Sequence, residues 1–600
     1  MAGQQTARTP SNLLDGPAPE TVAAEAARRR TFAVISHPDA GKSTLTEALA
    51  LHAHVIEEAG ATHGKSSRKA TVSDWMQMEQ DRGISISSAA LQFSYRDTVI
   101  NLLDTPGHAD FSEDTYRVLA AVDCAVMLVD AAKGLETQTL KLFDVCARRG
   151  LPVITVINKW DRPGKDALEL MDEVQQRTGR VPVPLTWPVG LSGDFRGTLD
   201  VPTGTYTRYR RVAAGAAVAE AEVLDPAQAA ELEGPAWEEA CETADLMAES
   251  NGAFEPGAFL AAEATPVLFA AAALNFGVAT LLDVLVDLAP AAGPRPDAAG
   301  VPRPVEAPFS GFVFKLQAGM DRAHRDHVAF LRVCSGVFRR GTVLTHAATG
   351  KPFATKYAHQ VFGRDRETVE TAFPGDVVGL VNASVLRAGD SVYVDTPVVF
   401  PPIPHFSPEH FQVARAVDAG RAKQFRRGMT QLEHEGVIQV LRSEARGDQA
   451  PVLAAVGPMQ FEVVADRMAQ EFGAQVRLES LPYTLARRVV APDPEVLNRI
   501  PGTEVLWRAD GEPIAVFTDK WKLGRIPTYT PRPPSNRSAA TPTRPPPPES
   551  APRAATLRRD STGRVPVDGS VRHARREGSA RETVRRRPAH ERRPAVPRRR

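Results

Sequence analysis

The sequence has few cysteines, no long apolar run and, after Pro531, no lysine. Only four of its 600 residues are cysteines, and no two of them form a Cys-x-x-Cys pair. This spacing predicts buried thiols in a reducing compartment, not disulfides or a zinc site. The four are Cys124, Cys146, Cys241 and Cys334. The chain has no apolar run of about 18 residues and no signal-peptide pattern at its start, so we expect a cytoplasmic protein that does not bind a membrane.

The formal net charge of zero hides two oppositely charged parts. Residues 531–600 contain 19 arginines and six acidic residues, which gives this tail a charge of +13 and leaves −13 for residues 1–530. The tail is rich in proline and poor in large apolar residues, so it is predicted to be disordered. Two interpretations of it stay open, a solvated extension and a segment that binds RNA phosphates without sequence specificity.

A phosphate-binding loop is predicted between an apolar strand and a helix. Phe32–Ile35 has the pattern of a buried strand and Leu45–Leu51 that of a helix. Between them, Gly41 lets the backbone approach a phosphate, Lys42 adds a positive charge, and Ser43 offers a hydroxyl to Mg²⁺. The first position of the usual pattern holds serine instead of glycine. The candidate phosphate-binding residues are Ser36, His37, Pro38, Asp39, Ala40, Gly41, Lys42, Ser43 and Thr44.

A second motif, DTPGH, follows the predicted strand Thr98–Leu103. A carboxylate at its first position suits Mg²⁺, which prefers oxygen ligands and usually keeps several waters. Gly107 would let its N–H approach a γ-phosphate. By itself the pentapeptide is also compatible with an ordinary Pro-Gly turn. The candidate nucleotide contacts here are Asp104, Thr105, Pro106 and Gly107.

A third motif, NKWD, follows the predicted strand Val153–Ile157. The carboxylate of Asp161 can accept hydrogen bonds from N1–H and the exocyclic amine of guanine, which adenine does not offer together. Lys159 can pack its stem along the purine ring, and Asn158 completes the set of candidate contacts. Three motifs in this order, each at a strand end, predict a site for GTP and GDP.

The motifs and several longer segments resemble the translational GTPases and, more narrowly, the bacterial peptide chain release factor 3 family. The resemblance covers about residues 28–490, weakens to about residue 530 and stops there. It extends far outside the nucleotide motifs, which makes it specific. The segments that carry it are Ser36–Leu49, Ser73–Ile86, Thr265–Val278, Ser310–Gly336 and Ala455–Met468.

The resemblance implies a ribosome-dependent GTPase that promotes the departure of the codon-reading release factor after peptide release. It also implies that His108 orients the attacking water and that large-subunit ribosomal RNA positions this histidine. Ser85 stands where a threonine usually binds Mg²⁺ and the γ-phosphate, so the expected Mg²⁺ ligands are Ser43, Ser85 and Asp104. Phosphoryl transfer depends mainly on positioning and charge neutralisation, and no arginine finger is evident, so intrinsic hydrolysis is expected to be slow.

Two departures from the family pattern bear on the site. Serines at positions 43 and 85 replace the more usual threonines, which keeps both hydroxyls. Ala271, Ala272 and Ala273 occupy the fifth nucleotide segment, where a small hydroxyl residue followed by alanine is common. A backbone N–H contact to the guanine carbonyl is the contribution we expect there.

The expected fold is a multidomain α/β protein. It combines a P-loop GTPase domain with a mixed, mainly parallel sheet, a β-barrel domain and an α+β domain. The chain is too long for one core. The predicted parts are a flexible lead-in (1–28), with a short helix around Val22–Arg29, the GTPase domain (29–290), a linker (291–304), the β-barrel (305–402), the α+β domain (403–530) and the disordered tail (531–600). Within the GTPase domain we expect a strand pair, Ala90–Tyr95 and Thr98–Leu103, and an insertion at Pro163–Ser250 with helices at each end. In the α+β domain we expect helices at Ala422–Glu435 and Gln460–Phe472 between short strands.

Two other functions stay open at this stage. One is another translational GTPase of elongation type, which the roughly 130 residues after the β-barrel disfavour because they leave no room for further domains. The other is a GTP-dependent ribosome-binding module whose hydrolysis has decayed. Intact Lys42, Ser43, Asp104 and His108 argue against decay. We expect a monomer.

Overall fold

The structure of the protein is a computed structural model. The predicted tail, most of the lead-in and residues 80–84, which precede Ser85, lie outside the residues that the structure describes. The described residues belong to a single compact unit that ends at Tyr529. They are 18–53, 79, 85–210, 220–318, 327–355, 357–362, 365–381, 383–403, 406–443, 446–447, 449–491 and 493–524.

The GTPase domain is built on a seven-stranded sheet with the order β2-β3-β1-β4-β5-β11-β6. All neighbours are parallel except β2 and β3, which form the predicted hairpin. This confirms the mixed, mainly parallel sheet. The strands of the domain are β1 Arg29–Ser36, β2 Ala89–Tyr95, β3 Thr98–Asp104, β4 Cys124–Asp130, β5 Val153–Asn158, β6 Val181–Pro184, β7 Thr186–Val189, β8 Gly197–Asp200, β9 Tyr206–Arg210, β10 Glu220–Leu224 and β11 Ala264–Phe269.

Helices cover both faces of this sheet, which explains the continuous apolar runs of its strands. In β1, Phe32 and Val34 pack on one face with α2 and α9, whereas Ala33 and Ile35 pack on the other with α3 and α4. The helices are α1 Pro19–Ala27, α2 Lys42–His52, α3 Ser112–Leu119, α4 Thr137–Arg148, α5 Ala167–Thr178, α6 Pro226–Glu233, α7 Pro235–Asn251, α8 Pro256–Leu260 and α9 Val278–Leu288, with 3₁₀ turns at Ala109–Phe111 and Ala272–Leu274.

The predicted insertion after residue 163 does have helices at both ends. Between them it carries a four-stranded antiparallel sheet, β10-β9-β8-β7, which the sequence analysis did not anticipate. Trp187 and Tyr206 from this sheet are buried against the main sheet and α7, in a cluster that also contains Phe269 of β11. The insertion therefore shares a core with the strand that leads into the fifth nucleotide segment.

The segment predicted as a linker contains a two-stranded ribbon, β12 Arg295–Pro296 and β13 Pro302–Arg303. The guanidinium of Arg295 lies over the rings of Phe312 and Phe400, 5.3 Å and 5.9 Å from their centroids, and it also donates to the carbonyl of Ala120. This segment is thus packed against both neighbouring domains, which its Pro, Ala and Gly-rich composition did not reveal.

The β-barrel domain contains an eight-stranded antiparallel sheet, β18-β17-β23-β14-β15-β22-β19-β20, and the ribbon β16-β21. Its core is a single apolar cluster centred on Val313, Leu331 and Val378. The strands are β14 Ser310–Ala318, β15 His327–Ser335, β16 Phe338–Arg339, β17 Val343–His346, β18 Pro352–Ala354, β19 Ala358–Phe362, β20 Asp365–Thr368, β21 Thr371–Ala372, β22 Val377–Val381 and β23 Ser391–Tyr393.

The C-terminal α+β domain has two sheets. The predicted strands and helices form the four-stranded sheet β25-β26-β24-β27 with α10 and α11 on one face, and a three-stranded sheet, β28-β30-β29, packs on its other face. The elements are β24 His410–Ala416, α10 Ala422–Glu435, β25 Gln439–Leu441, β26 Val452–Ala455, α11 Met459–Gln470, β27 Val476–Ser480, β28 Leu485–Arg488, β29 Thr503–Trp507, β30 Pro513–Phe517 and α12 Lys520–Gly524, with 3₁₀ turns at Ala419–Arg421 and Pro494–Arg499.

The barrel is joined to the GTPase domain through buried polar contacts at β1. Arg29 Nε lies 2.8 Å from Asp376 Oδ1, and the hydroxyl of Thr31 donates to the carbonyl of Gly375 at 2.8 Å. All four residues come from the first strand of one domain and the turn before β22 of the other. Apolar side chains of the barrel extend the same contact along the sheet face covered by α3 and α4.

Three of the four cysteines are buried free thiols, as predicted, and Cys241 is partly buried. Burial raises the pKa of Cys146 to about 12, so its thiol stays protonated and unreactive near neutral pH.

Candidate nucleotide site

The predicted nucleotide motifs meet at one edge of the seven-stranded sheet. Ser36 ends β1, Asp104 ends β3 and Asn158 ends β5, and these strands run parallel. Parallel strands present their carboxyl ends at a common edge, where ligands of open α/β sheets bind. Sequence motifs separated by more than 50 residues are thereby brought into one site.

Asn158 connects the phosphate loop to the fifth nucleotide segment. Its Nδ2 donates to the carbonyl of Ala40 at 2.8 Å, and its Oδ1 accepts from the N–H of Ala272 at 2.9 Å. Gly41 lies directly against this amide with φ +97°, and a Cβ there would lie 2.6 Å from Asn158 Nδ2. Glycine is therefore required at position 41 both for its backbone conformation and for this close approach.

Lys42 and Asp104 form a buried ion pair at the start of α2, with Nζ 2.7 Å from Oδ1. Ser85 Oγ lies 3.3 Å from Ser43 Oγ and 3.5 Å from Lys42 Nζ. Two hydroxyls and a carboxylate thus converge where the helix N-terminus favours an anion. Oxygen donors of this kind are the ligands that Mg²⁺ prefers, so the residues present fit the ion.

Ser85 is held in place by contacts from outside the phosphate loop. Lys315 of the barrel donates to Ser87 Oγ at 2.7 Å, and the carboxylate of Glu79 accepts from the N–H groups of Ile86 and Ser87, each at 3.0 Å. Burial lowers the pKa of Lys315. The short segment from Ser85 into β2 is therefore fixed between the barrel and the nucleotide edge.

Three residues around the site have left-handed backbone conformations although they are not glycine. They are Asp39 with φ +65°, Lys159 with φ +66° and Asn275 with φ +60°. Such strain costs of order 1 kcal/mol or more per residue and tends to be retained at functional sites. It occurs here in the phosphate loop, the NKWD motif and the turn after the fifth segment, the three loops that would enclose a nucleotide.

Lys159 is anchored by a carboxylate that the motif analysis did not select. Its Nζ lies 2.8 Å from Asp130 Oδ2 and also donates to the carbonyl of Asp39. Burial raises the pKa of Asp130, but the hydrogen bonds from Lys159 and from the N–H of Ala132, together with the nearby lysine charges, outweigh burial and the net pKa is lowered. Asp130 ends β4 as Asp104 ends β3, and this position at a strand end was the available signal.

The fifth segment forms a tight turn in which the three alanines have different backbone roles. The N–H of Ala271 donates to the carbonyl of Phe276 at 3.1 Å, and that of Ala272 donates to Asn158. Ala273 is exposed in the turn. Because the N–H groups of Ala271 and Ala272 have partners within the protein, the backbone contact to guanine stays a prediction for Ala273.

His108 follows Gly107 at the start of a short 3₁₀ turn. The N–H of Asp110 donates to His108 Nδ1 at 3.3 Å, and Asp110 Oδ1 lies 3.3 Å from the same nitrogen. A Cβ at position 107 would meet Pro38 Cα at 3.5 Å, an ordinary contact. Protein packing alone thus does not require glycine at position 107, and the close approach of its N–H to a γ-phosphate stays a prediction.

His37 makes an ion-pair contact that the sequence analysis did not select. Its Nε2 lies 3.0 Å from Glu136 Oε2, in the loop before α4. Burial lowers the pKa of His37, and Glu136 opposes that shift. This contact joins the phosphate loop to the opposite rim of the site. Asp161 lies at the rim, partly buried.

Comparison with known proteins settles the family. Models of three domain families match the chain: the elongation factor Tu GTP binding domain over residues 27–291, elongation factor G domain 2 over 308–395, and the class II release factor RF3 C-terminal domain over 400–526. Peptide chain release factor 3 of Microcystis aeruginosa is 44% identical over 84% of this chain and 94% of its own. The chain belongs to the peptide chain release factor 3 family. The release factor 3 of Gloeobacter violaceus is 46% identical over 80% of this chain and 91% of its own.

As a member of the release factor 3 family, the protein is a GTPase of translation termination that binds guanine nucleotides and interacts with the ribosome. A crystal structure of a protein from Thermus thermophilus shares the fold, with a TM-score of 0.62 at 22% identity over 81% of this chain and 72% of that one. Within the described parts of the chain, no helix is both long and apolar enough to span a membrane.

Proposed function

We propose that this GTPase promotes dissociation of codon-reading release factors from the ribosome after peptide release. The observation that carries the proposal is the release-factor type of C-terminal domain over residues 400–526, which contacts the loop bearing His108. A domain of the release-factor type thus contacts the loop to which we assign the positioning of the attacking water. Cytoplasmic location, a monomeric state and the domain boundaries given above belong to the same proposal.

The proposed binding roles follow the geometry of the strand edge. Residues 36–44 and 104–107 surround the phosphates, with Lys42 as the positive charge. Asn158, Lys159, Asp161 and the turn at 271–273 enclose guanine, and Asp161 provides the selection against adenine. Asn158 acts by bracing the phosphate loop and the turn, because its amide is engaged by both.

Mg²⁺ would be held by Ser43 and Ser85, with Asp104 acting through water. When bound, such an ion neutralises charge that develops on the phosphate oxygens. Lys42 shares this task and balances the charge of Asp104. Because the protein holds these groups in fixed positions, they need not reorient during the reaction, as water dipoles in solution would.

His108 would orient the attacking water through Nε2, because Nδ1 is engaged by Asp110. Phosphoryl transfer gains mainly from positioning, so an oriented imidazole suits the task. Contact with large-subunit ribosomal RNA would complete the positioning of this ring. The Arg-rich tail at 531–600 would add non-specific, salt-sensitive binding to RNA.

The deciding experiment measures GTP turnover by the full chain with and without 70S ribosomes, in complexes that carry a fluorescent codon-reading release factor. We expect stimulated hydrolysis accompanied by departure of the labelled factor. Stimulated hydrolysis with the factor still bound would contradict the proposed function. GTP binding without any stimulation would favour a ribosome-binding module whose hydrolysis has decayed.

His108→Ala tests the role of the imidazole. The variant should bind GTP and GDP as the wild type does, while ribosome-stimulated kcat falls by about 10²-fold or more. His410→Ala, at an exposed position of β24, is the matched control and should keep full turnover. If His108→Ala retained stimulated turnover, another group would have to orient the water.

A further inference from the structure

The loop immediately after His108 is docked on the C-terminal domain. Asp110 Oδ2 accepts a hydrogen bond of 2.8 Å from the N–H of Met459, the first residue of α11. Phe111 packs against Val463 on the same helix and against Ile86 from the segment that carries Ser85. The histidine loop is therefore attached to α11 by one polar and one apolar contact.

Asp110 contacts both partners with one carboxylate. Its Oδ2 accepts from α11, and its Oδ1 lies 3.3 Å from His108 Nδ1. The carboxylate binds Nδ1 when that nitrogen carries a proton, and Nδ1 accepts from the N–H of Asp110, at 3.3 Å, when it does not. The side chain is largely buried, with 11% exposed. A buried carboxylate needs such partners, and the N-terminus of a 12-residue helix is a favourable one.

The C-terminal domain also has a backbone shaped for this carboxylate. Gly457, two residues before α11, has no side chain, and a Cβ there would lie 2.0 Å from Asp110 Cγ. Its backbone is not in a left-handed conformation, so conformational freedom does not explain this glycine. The close approach of Asp110 does.

We propose that Asp110 is a positioning residue that couples the orientation of His108 to the docking of the C-terminal domain. With α11 in place, the carboxylate is held on the Nδ1 side of the ring, which leaves Nε2 for the attacking water. A shift of α11 away from the GTPase domain removes the partner of Oδ2 and frees the carboxylate to move with the ring. The inference rests on the proposed role of His108 and names the element that controls it.

This assignment gives the C-terminal domain a direct effect on hydrolysis. A partner that displaces or secures α11 would change the rate of GTP hydrolysis without touching the nucleotide. The coupling needs no rearrangement of the phosphate loop, because Lys42, Ser43 and Asn158 make their contacts within the GTPase domain.

Two variants of the full chain test the coupling from its two sides. Gly457→Ala places a methyl group where the Asp110 carboxylate lies, and Asp110→Ala removes the carboxylate itself. Because misplacement of about 1 Å costs on the order of 10²-fold, each should lower ribosome-stimulated kcat by about 10- to 100-fold. Affinities for GTP and GDP, measured with fluorescent nucleotides, should stay within about two-fold of wild type, since the contacts described for the two residues are with His108, with α11 and with each other.

Gly524→Ala is the matched control for the glycine substitution. It lies in the same domain, its Cβ would meet nothing within 4 Å, and it should retain wild-type turnover. If Gly457→Ala does not fold, the double variant Gly457→Ala/Asp110→Ala removes the clash. It should fold and show the same low turnover as Asp110→Ala alone.

A double-mutant comparison separates positioning from a merely structural role. If Asp110 acts through the imidazole, Asp110→Ala should cause no further loss of turnover in the His108→Ala protein. An additional loss of the same size in that background would overturn the inference. Wild-type turnover in both Asp110→Ala and Gly457→Ala would also overturn it, while leaving the role of His108 intact. Full turnover in His108→Ala would instead remove the proposed role on which the inference rests.

Discussion

At the scale of single residues, side-chain amides and carboxylates organise the nucleotide edge. The amide of Asn158 forms hydrogen bonds to both the phosphate loop and the fifth segment. Lys159 has a left-handed backbone conformation, and its amine contacts Asp130. These contacts fix the loops before a nucleotide arrives. A preorganised site of this kind costs less ordering entropy on binding.

Asp161→Asn should change the base preference of the site. The amide of asparagine can place an N–H donor against the exocyclic amine of guanine, which is also a donor. Xanthine has a carbonyl oxygen at that position, which can accept from the amide. We expect GTP affinity to fall by about 10²-fold and xanthosine triphosphate affinity to rise, measured by competition against a fluorescent guanine nucleotide. Asp172→Asn, on the exposed side of α5, serves as the control. Unchanged GTP affinity in Asp161→Asn would refute the assigned contact.

Sequence motifs located the main site residues but not the residues that hold their side chains in position. Lys42, Asp104 and Asn158 were selected because each motif follows an apolar strand. Asp130 and Asp110 were not, because neither belongs to a phosphate or guanine motif and their partners lie 29 and 349 residues away. Contacts of this kind depend on packing between distant segments, which local pattern cannot report.

At the scale of elements, α10 and α11 pack closely enough to require glycine at their crossing. A Cβ at Gly428 would lie 2.3 Å from Met468 Sδ and 3.0 Å from Phe472 Cδ2. Met468 is fully buried. The two helices also share the buried ion pair of Glu435 and Arg467 at 2.8 Å, which fixes the register between them.

Gly428→Ala should destabilise this helix pair. Overpacking of a core typically costs about 1–3 kcal/mol, more than the gain of roughly 1 kcal/mol from helix propensity. We therefore expect a lower midpoint of thermal unfolding. Gly257→Ala in α8, whose Cβ would meet nothing within 4 Å, should be neutral or slightly stabilising. A Gly428→Ala protein as stable as wild type would mean that Met468 and Phe472 can repack without cost.

Elements with strong periodicity were predicted well, and those defined by distant partners were not. The helix at 422–435 and the strand pair at 89–104 appear nearly as expected. The sheet β28-β30-β29 was missed because its three strands are short and pair across intervals of up to 32 residues. Arg295 was assigned to a linker because its stacking on Phe312 and Phe400 exists only in the folded chain.

At the scale of the whole molecule, the contact between the barrel and the C-terminal domain includes a histidine whose pKa is lowered. The pKa of His434 in α10 is lowered, first by burial and then by the positive charges of Arg387 and His327 from the barrel, while Glu435 opposes the shift. A charged His434 would therefore stand beside like charges at the junction of the two domains.

Stability should consequently fall on acidification. In the unfolded chain His434 has the ordinary histidine pKa of about 6.5, whereas its pKa in the folded protein is lower. As the pH falls through about 6.5, the unfolded state therefore binds more protons than the folded state. The free energy of unfolding is thus not reduced by His434 above about pH 7, and it decreases towards pH 5. Thermal unfolding of wild type and His434→Gln across this range should show a smaller decrease in the variant.

His410→Gln, at an exposed site, should follow the wild type in the same measurement. Glu433, whose pKa is raised by burial, is present in all three proteins, so the difference between them reports His434. Equal slopes for wild type and His434→Gln would contradict the prediction.

The contact of β1 with the barrel has a consequence for synthesis of the chain. The hydroxyl of Thr31 meets the carbonyl of Gly375, 344 positions later. At about 5–20 residues per second, a ribosome needs roughly 20 to 70 seconds to make the intervening chain. Throughout that interval Arg29 of the nascent first domain lacks Asp376, although it can still contact Glu25, and the domain exposes the apolar face that the barrel later covers. A protein that works on ribosomes thus carries an uncovered apolar domain face while it is still attached to one.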